Sequence, residues 1–395
     1  MLTGKTAVLA VTGSIAAYKI ANLARMLKKL HCDVYVLMTE NATNFINPIT
    51  FESLVGNKCL VDTFDRNFQY SVEHVAIAKQ ADVVLVAPAS ANVIGKLANG
   101  IADDMLTTTV MACPCKKIVS PAMNHNMFHN PIVQDNIEKL KRFGYEIVAP
   151  DCGMLANGDI GDGRMPEENV LLEYIIREIA YEKDLVGKKI LVTAGATCEA
   201  IDPVRFITNH SSGKMGIAIA KAAMLRGADV TLVKAHTDVD APMFVNCIDV
   251  TSAADMFDVV SDCSSEADII IKAAAVADYT PITVAENKIK KSDGDVQISL
   301  KRTQDILKYL GENKKTGQII CGFSMETENV IENSKKKLIS KNCDLICANS
   351  IKSEGAGFGV DTNVVTMITR TDCTELEIMS KDCVAHKILD KIKTL

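Results

Sequence analysis

Hydrophobic and polar positions follow the same order at two places in the chain. "KTAVLAVTGSIAAYKIANLARMLKKLHCDVYVLMT" reads as a buried strand, a Gly turn, an amphipathic helix and a second strand. "KKILVTAGAT" leads, after a polar insertion, to "KMGIAIAKAAMLRGADVTLVKA", which repeats that order. Each predicts the first βαβ unit of a doubly wound sheet, so the expected fold class is α/β with two Rossmann-like domains. "QADVVLVAPASAN" and "EADIIIKAAAVAD" each predict a further buried strand that ends in small residues. Ligands bind at that carboxyl edge in such sheets. The charged "REIAYEKDLVGKK" ends one helix and precedes the next strand, which places the boundary near Asp184 and the domains at 1–183 and 184–395. Near the end, "VVTMITRTDCTELEIMS" alternates with period two around a polar turn. An antiparallel hairpin added to the second sheet is expected there, making that sheet mixed.

Composition narrows the class. At 395 residues the chain exceeds the length at which single cores stop growing, and 48% hydrophobic with 23% charged residues fits a globular protein. A net charge of -6 and a pI near 5.7 exclude bulk nucleic-acid binding, so any basic site is local. Thirteen cysteines without paired CxxC spacing point to reduced thiols in a cytoplasmic protein, and "CPC" at 113–115 lacks partners for zinc. No apolar run approaches a membrane span.

Candidate chemistry in the first half sits at predicted strand ends. Gly13 and Ser14 stand between a strand and a helix, where open N–H groups and the helix dipole favour an anion; a bare turn is the alternative. The turn "APASAN" (87–92) supplies a second wall. "LANGDIGDGRM" (155–165) has glycines spaced like a phosphate loop, yet Pro166, Glu167 and Glu168 open the next helix. Two carboxylates in a first turn repel a phosphate, so a mobile lid is the surviving reading. His74 precedes an apolar helical run, where a structural histidine is the plainer reading. Asn124 in "PAMNHNMF" reaches another sheet edge.

Through "GSIAAYK", His74, "PASAN", "PAMNHNMF" and "GDIGDGRM", in that order, residues 1 to about 180 resemble the flavin-containing cysteine decarboxylases. The resemblance implies a flavodoxin-like flavoprotein with FMN against Gly13, Ser14, Thr39, Ser90, Ala91 and Asn92. It implies His74 as the base, and Asn124, Met127, Arg164 and Met165 on the substrate. The chemistry it implies is oxidation of the substrate thiol toward a thioaldehyde, which accepts the electrons released with CO2. Reduction of the resulting ene-thiol then needs an acid. Many family members carry Cys immediately before the "GDIG" segment, where this chain has Asn157, and an amide is no practical proton donor. Asn157 keeps its place among the expected catalytic positions, and Cys152 is the thiol in the same loop.

In the second half, "DPVRFITNHSSGKMG" (202–216) is the densest polar block. Met215 stands where a Walker loop needs Ser or Thr, so a capped helix start is the plain reading. Lys337 and Lys341 fall one helical turn apart, as on a solvated face or opposite a polyphosphate. With "AAAVADY", "KIKK" and the "GF...ET" segment, residues 188–395 resemble the phosphopantothenate-cysteine ligase domain. The whole chain is thus similar to the bacterial bifunctional phosphopantothenoylcysteine decarboxylase/phosphopantothenate-cysteine ligases of coenzyme A biosynthesis. That resemblance implies 4'-phosphopantothenate, cysteine and CTP as substrates, with Mg2+, and an acyl-cytidylate intermediate. By position, Asn209 handles the acyl-cytidylate, Arg205 the pantothenate side, and Lys288 the developing phosphoryl charge. The remaining nucleotide contacts are Ala274, Ala275, Asp278, Gln304, Asp305, Ile306, Leu307, Phe323, Lys337 and Lys341; the family often has Pro at the Gln304 position. No metal ligands are assigned.

A homo-oligomer of trimeric flavin domains and dimeric ligase domains, together a dodecamer, is also implied. Two alternatives stay open. One is a peptidyl-cysteine decarboxylase that releases the ene-thiol, and the other a flavin-binding regulatory protein.

Overall fold

The computed structural model describes the chain apart from residues 64–72, 155–157, 159, 291–296, 327–328 and 351–359. Asn157 therefore lies outside the described residues. The chain divides into two compact units, Met1–Tyr181 and Glu182–Leu395.

The first unit builds β1 (Thr6–Val11), α1 (Ala17–Lys29), β2 (Asp33–Met38), α2 (Pro48–Val55), β3 (Cys59–Leu60), α3 (Glu73–Gln80) and β4 (Val83–Ala89). It continues through α4 (Ala91–Ala98), α5 (Met105–Ala112), β5 (Lys116–Pro121), α6 (His125–Phe128), α7 (Pro131–Arg142) and β6 (Glu146–Ile147). A ladder of β7 (Asp151–Met154) and β8 (Ile160–Arg164) then precedes α8 (Glu168–Ile179). The main sheet has the order β3-β2-β1-β4-β5-β6 and all its pairs are parallel. Val83–Ala89 is buried at every position, as a strand covered on both faces requires. Val8, Val84, Val86 and Val119 form one core with Ile94 and Leu106 of the covering helices. The strand order turns back between β1 and β4, and the crevice of this unit opens there.

The second unit opens with β9 (Lys189–Ala194), β10 (Cys198–Ala200), β11 (Phe206–Thr208), α9 (Lys214–Leu225), β12 (Asp229–Lys234) and β13 (Asn246–Asp249). It goes on with α10 (Ala253–Ser264), β14 (Ile269–Lys272), β15 (Tyr279–Pro281), β16 (Leu300–Arg302), α11 (Ile306–Glu312) and β17 (Ile319–Glu326). It closes with α12 (Val330–Ser340), β18 (Leu345–Ser350), β19 (Thr362–Asn363), β20 (Val365–Ile368), β21 (Cys373–Glu375), β22 (Met379–Ser380) and α13 (Lys381–Ile392). The large sheet runs β13-β12-β9-β14-β17-β18-β20-β21. Its first six strands are parallel and the last two antiparallel, so the expected hairpin is present and the sheet is mixed. Here the order turns back between β9 and β14.

Two local expectations are corrected. The helix after the glycine-rich segment starts at Glu168, with Glu167 as its N-cap, rather than at Pro166. The start of α9 has no side-chain cap: Gly213 caps it at φ 71°. A Cβ there would lie 2.3 Å from Thr237 Cγ2, so glycine alone fits that corner. All thirteen cysteines are free thiols. Among the described residues no helix is long and apolar enough to cross a membrane.

Candidate functional sites at the two sheet edges

In the first unit, Thr12 ties the strands that flank the crevice. Its hydroxyl donates to Pro88 O (2.6 Å) and accepts from Ser90 N–H (2.9 Å), so the turns after β1 and β4 are held side by side. Ser90 caps α4 by accepting from Val93 N–H, and Ala91 and Asn92 form its first turn. Thr39 closes β2, donating its N–H to Val11 O and accepting from Ala42 N–H. A Cβ on Gly13 would come within 2.9 Å of Asn41 Cβ, so only a bare backbone passes between the β1 and β2 ends. Gly13, Ser14, Thr39 and Ser90 to Asn92 therefore gather along one edge. The N-cap residue of α1, Ala16, gives no side-chain cap; Ala17 and Lys19 N–H donate back to Ser14 O and Ala16 O, and the positive end of the helix dipole suits an anion. A bare backbone cradle, the start of a 13-residue helix and the hydroxyl-bearing Ser14, Thr39 and Ser90 fit the phosphate end of a flavin nucleotide.

Beside this edge lies a cavity of about 460 Å3, walled by Ser14, Lys19, Asn124, Met154, Arg164 and Met165 among others. Asn124 caps α6 through Oδ1, which accepts from Asn126 N–H at 2.9 Å, leaving the amide nitrogen for a ligand. Met165 is buried and Arg164 half-exposed, with its guanidinium 2.5 Å from Glu167. Met127 is 49% exposed on α6 and is not part of the wall. His74 stands in the first turn of α3, a helix that packs on α5, and does not line this cavity. Lys19 was not singled out by sequence reasoning, although it lies inside "GSIAAYK". Its side chain is 8% exposed and its ammonium lies 3.0 Å from Glu167 Oε1. The pair with Lys19, then that with Arg164, holds the exposed Glu167 carboxyl below its ordinary range.

Within the described residues of the glycine-rich segment, Ile160–Arg164 forms a strand rather than a loop. β7 and β8 pair antiparallel, and Gly163 at φ 125° accepts from Met123 N–H (3.1 Å) through its carbonyl. His129 Nε2 and Asp162 Oδ2 lie 3.0 Å apart, and Asp162 N–H donates to His125 Nδ1, which fastens β8 to α6. Cys152 is exposed on β7 opposite Asp162.

In the second unit the segment after β14 is pinned from all sides. Ala274 N–H donates to Thr193 Oγ1, Ala275 N–H to Gly195 O, and Ala277 N–H to Thr197 Oγ1. Its carbonyls accept in turn: Ala275 O and Val276 O from Asn209 Nδ2 (3.5 and 3.2 Å), and Ala277 O from Thr303 Oγ1 (2.6 Å). Asn209 is thus brought onto Ala275 and Val276, in the segment that runs from Ala274 to the exposed Asp278. Asp305 caps α11 by accepting from Lys308 N–H and pairs with Lys341 at 2.5 Å; Lys337 donates to Phe323 O at 3.0 Å. The two lysines take different partners, and Lys341 N–H donates to Lys337 O, so they remain one helical turn apart at the end of α12. Ile306 and Leu307 are buried in the core of this unit, while Gln304 is exposed.

Asp202, which sequence reasoning left unassigned, organises the neighbouring turn. Its fully buried carboxylate accepts from the N–H groups of Val204, Arg205 and Ile289 and from Arg205 Nε. Burial pushes this carboxyl up, but those backbone donors and the guanidinium outweigh it and bring it down to about 2. Arg205 and exposed Lys288, next to Ile289, are positioned by this one group. The stabilisation is present above the ordinary carboxyl pKa and is lost as pH falls through about 2. Asp202→Asn turns an amide N–H toward donors, so ligation should fall about tenfold with decarboxylation unchanged, as read by assaying each half-reaction separately.

Residues 1–180 match the family model described as Flavoprotein, and residues 185–395 the one described as DNA/pantothenate metabolism flavoprotein C-terminal domain. A coenzyme A biosynthesis bifunctional protein CoaBC from Bacillus subtilis (strain 168) is 46% identical, covering 100% of this chain and 98% of that protein. This chain belongs to the CoaBC family. Another relative, named cysteine/cysteine sulfinic acid decarboxylase, comes from an unknown prokaryotic organism; it is 43% identical over 89% of this chain and 99% of that protein. Among solved structures, the C-terminal domain of a CoaBC protein is 44% identical, covering 53% of this chain and 96% of that chain, with a TM-score of 0.46. As in the family, a flavin-binding unit comes first and a ligase-type unit second.

Proposed function

We propose that the chain ligates cysteine to 4'-phosphopantothenate with CTP and Mg2+, then decarboxylates 4'-phosphopantothenoylcysteine to 4'-phosphopantetheine with FMN. The observation that carries this reading is a single relative matching both units end to end at 46% identity. At the second edge, the pinned Ala274–Ala277 segment offers a preorganised template for a cytidine nucleotide, with Lys337 and Lys341 beside it for phosphates. Arg205 and Lys288 supply positive charge where the substrate carboxylate meets the α-phosphate, and Asn209 holds the template beneath the acyl-cytidylate.

At the first edge, Gly13, Ser14, Thr39 and Ser90 to Asn92 would hold FMN, which supplies a two-electron acceptor for the thiol-bearing carbon and later returns those electrons. Asn124 and Arg164 orient the cysteinyl carboxylate and amide in the cavity, and Met165 keeps the wall dry. His74 takes the proton released on thiol oxidation. Because His74 does not line its own chain's cavity, it serves a neighbouring copy, in line with the implied trimeric flavin domains. Mass spectrometry after incubation with 4'-phosphopantothenate, cysteine, CTP and Mg2+ tests the whole reading. The reduced phosphopantetheine is expected; no new mass, or equal turnover with ATP, would refute the assignment.

The cysteine/cysteine sulfinic acid decarboxylase relative favours a second reading, direct decarboxylation of free cysteine. A control with cysteine alone separates the two, since only the second reading yields the small aminothiol.

A further inference from the structure

A lysine at the end of an all-isoleucine strand is costly, because burial disfavours its charged form. Lys272 closes β14 after Ile269, Ile270 and Ile271, all buried, and is itself half-buried at the edge of the second sheet. Its in-register neighbours, Thr193 on β9 and Gly322 on β17, carry no charge. Its Nζ donates to Ala274 O at 3.1 Å. A neutral donor would satisfy that carbonyl at lower cost, just as a neutral hydroxyl, Thr193 Oγ1, serves as the acceptor for the Ala274 N–H. The charged groups that face it are Lys337 on α12, Asp278 after the pinned segment and Asp305 at the N-cap of α11. Asp305 is already paired with Lys341.

We propose that Lys272 is a further cation of the nucleotide site, facing the phosphate chain together with Lys337 and Lys341. The inference rests on the reading of this edge as the CTP site. Burial first, then the nearby Lys337 charge, bring the Lys272 ammonium down to about 8, against the pull of Asp278 and Asp305. An arriving phosphate chain restores the charge, so binding takes up a proton, and affinity falls as pH rises through 8.

Calorimetric titration of the full chain with CTP and saturating Mg2+, at pH 7, 8 and 9 in buffers of unlike ionisation enthalpy, tests this. Uptake of about half a proton per site is expected at pH 8, where the group is half-charged, and more at pH 9. Lys272→Met should weaken CTP binding about tenfold at pH 7 and abolish the uptake. Lys272→Arg keeps a charge that does not titrate, so it should bind CTP with the same affinity at pH 7 and 9 without uptake. Wild-type affinity in Lys272→Met, or equal uptake in the wild type and Lys272→Arg, would overturn the proposal. If Lys272→Met does not fold, the comparison of wild type with Lys272→Arg decides alone. A wild-type chain that binds other nucleotides but not CTP would refute the cytidine reading while leaving the lysine test readable. One that binds no nucleotide ends both.

Discussion

Asn209→Asp is expected to lower ligation about 100-fold or more while leaving decarboxylation of supplied phosphopantothenoylcysteine intact. The native amide donates to two carbonyls, Ala275 O and Val276 O, 66 and 67 residues along the chain. An ionised carboxylate has no proton to give, so it sets negative charge against both carbonyls and against an incoming triphosphate. Loss of a hydrogen bond and introduction of repulsion add up, at about 1.4 kcal/mol per tenfold, to roughly 3 kcal/mol. Asn209→Ala removes the bonds without the repulsion and should lose about tenfold. Release of CMP and pyrophosphate, followed beside CO2 release from the supplied intermediate, reads both halves. Ligation at the wild-type rate in the Asp variant would remove Asn209 from the site.

Gly163→Ala should do the converse, lowering decarboxylation about 100-fold and sparing ligation. Gly163 has φ 125°, and a Cβ there would stand 2.2 Å from Met123 O. The obstacle is backbone, so β8 must withdraw from the end of β5, and the Met123 N–H to Gly163 O bond is lost with it. Ala122, Met123 and Asn124 wall the cavity, so its geometry goes too. Backbone strain of this kind costs roughly 3 kcal/mol, which lowers the melting temperature of the first unit by roughly 5–10 °C. Gly158→Ala is the control: Gly158 has φ 87° but nothing within 4 Å of the added Cβ, so it should lose only about 1 kcal/mol. Equal effects of the two substitutions would show that strain alone, and not the approach to Met123, sets the geometry.

The βαβ openings of both units, the carboxyl-edge location of the sites and the terminal hairpin were legible in the chain because each depends on local periodicity. The β7–β8 ladder was not. Three glycines and alternating acids in 158–163 carry no two-residue hydrophobic pattern, and pairing there is fixed by Met123 and His125 from elsewhere. Candidate residues on one turn, such as Gly13 with Ser14 or Ser90 with Asn92, were identifiable from turn chemistry. Asp202, Lys19 and Lys272 were each inside a quoted segment but looked ordinary. Their burial and partners come from contacts such as Asp202 with Ile289, 87 residues away, which no window along the chain displays.

The Thr12 hydroxyl that joins Pro88 O to Ser90 N–H has a consequence for how this catalyst diversifies. With the two central strand ends stapled together, the width of the crevice is a property of the backbone and does not depend on the occupant. Relatives can therefore acquire new preferences by exchanging exposed rim side chains such as Ile15, Tyr18 and Met154, with no redesign of the sheet beneath them.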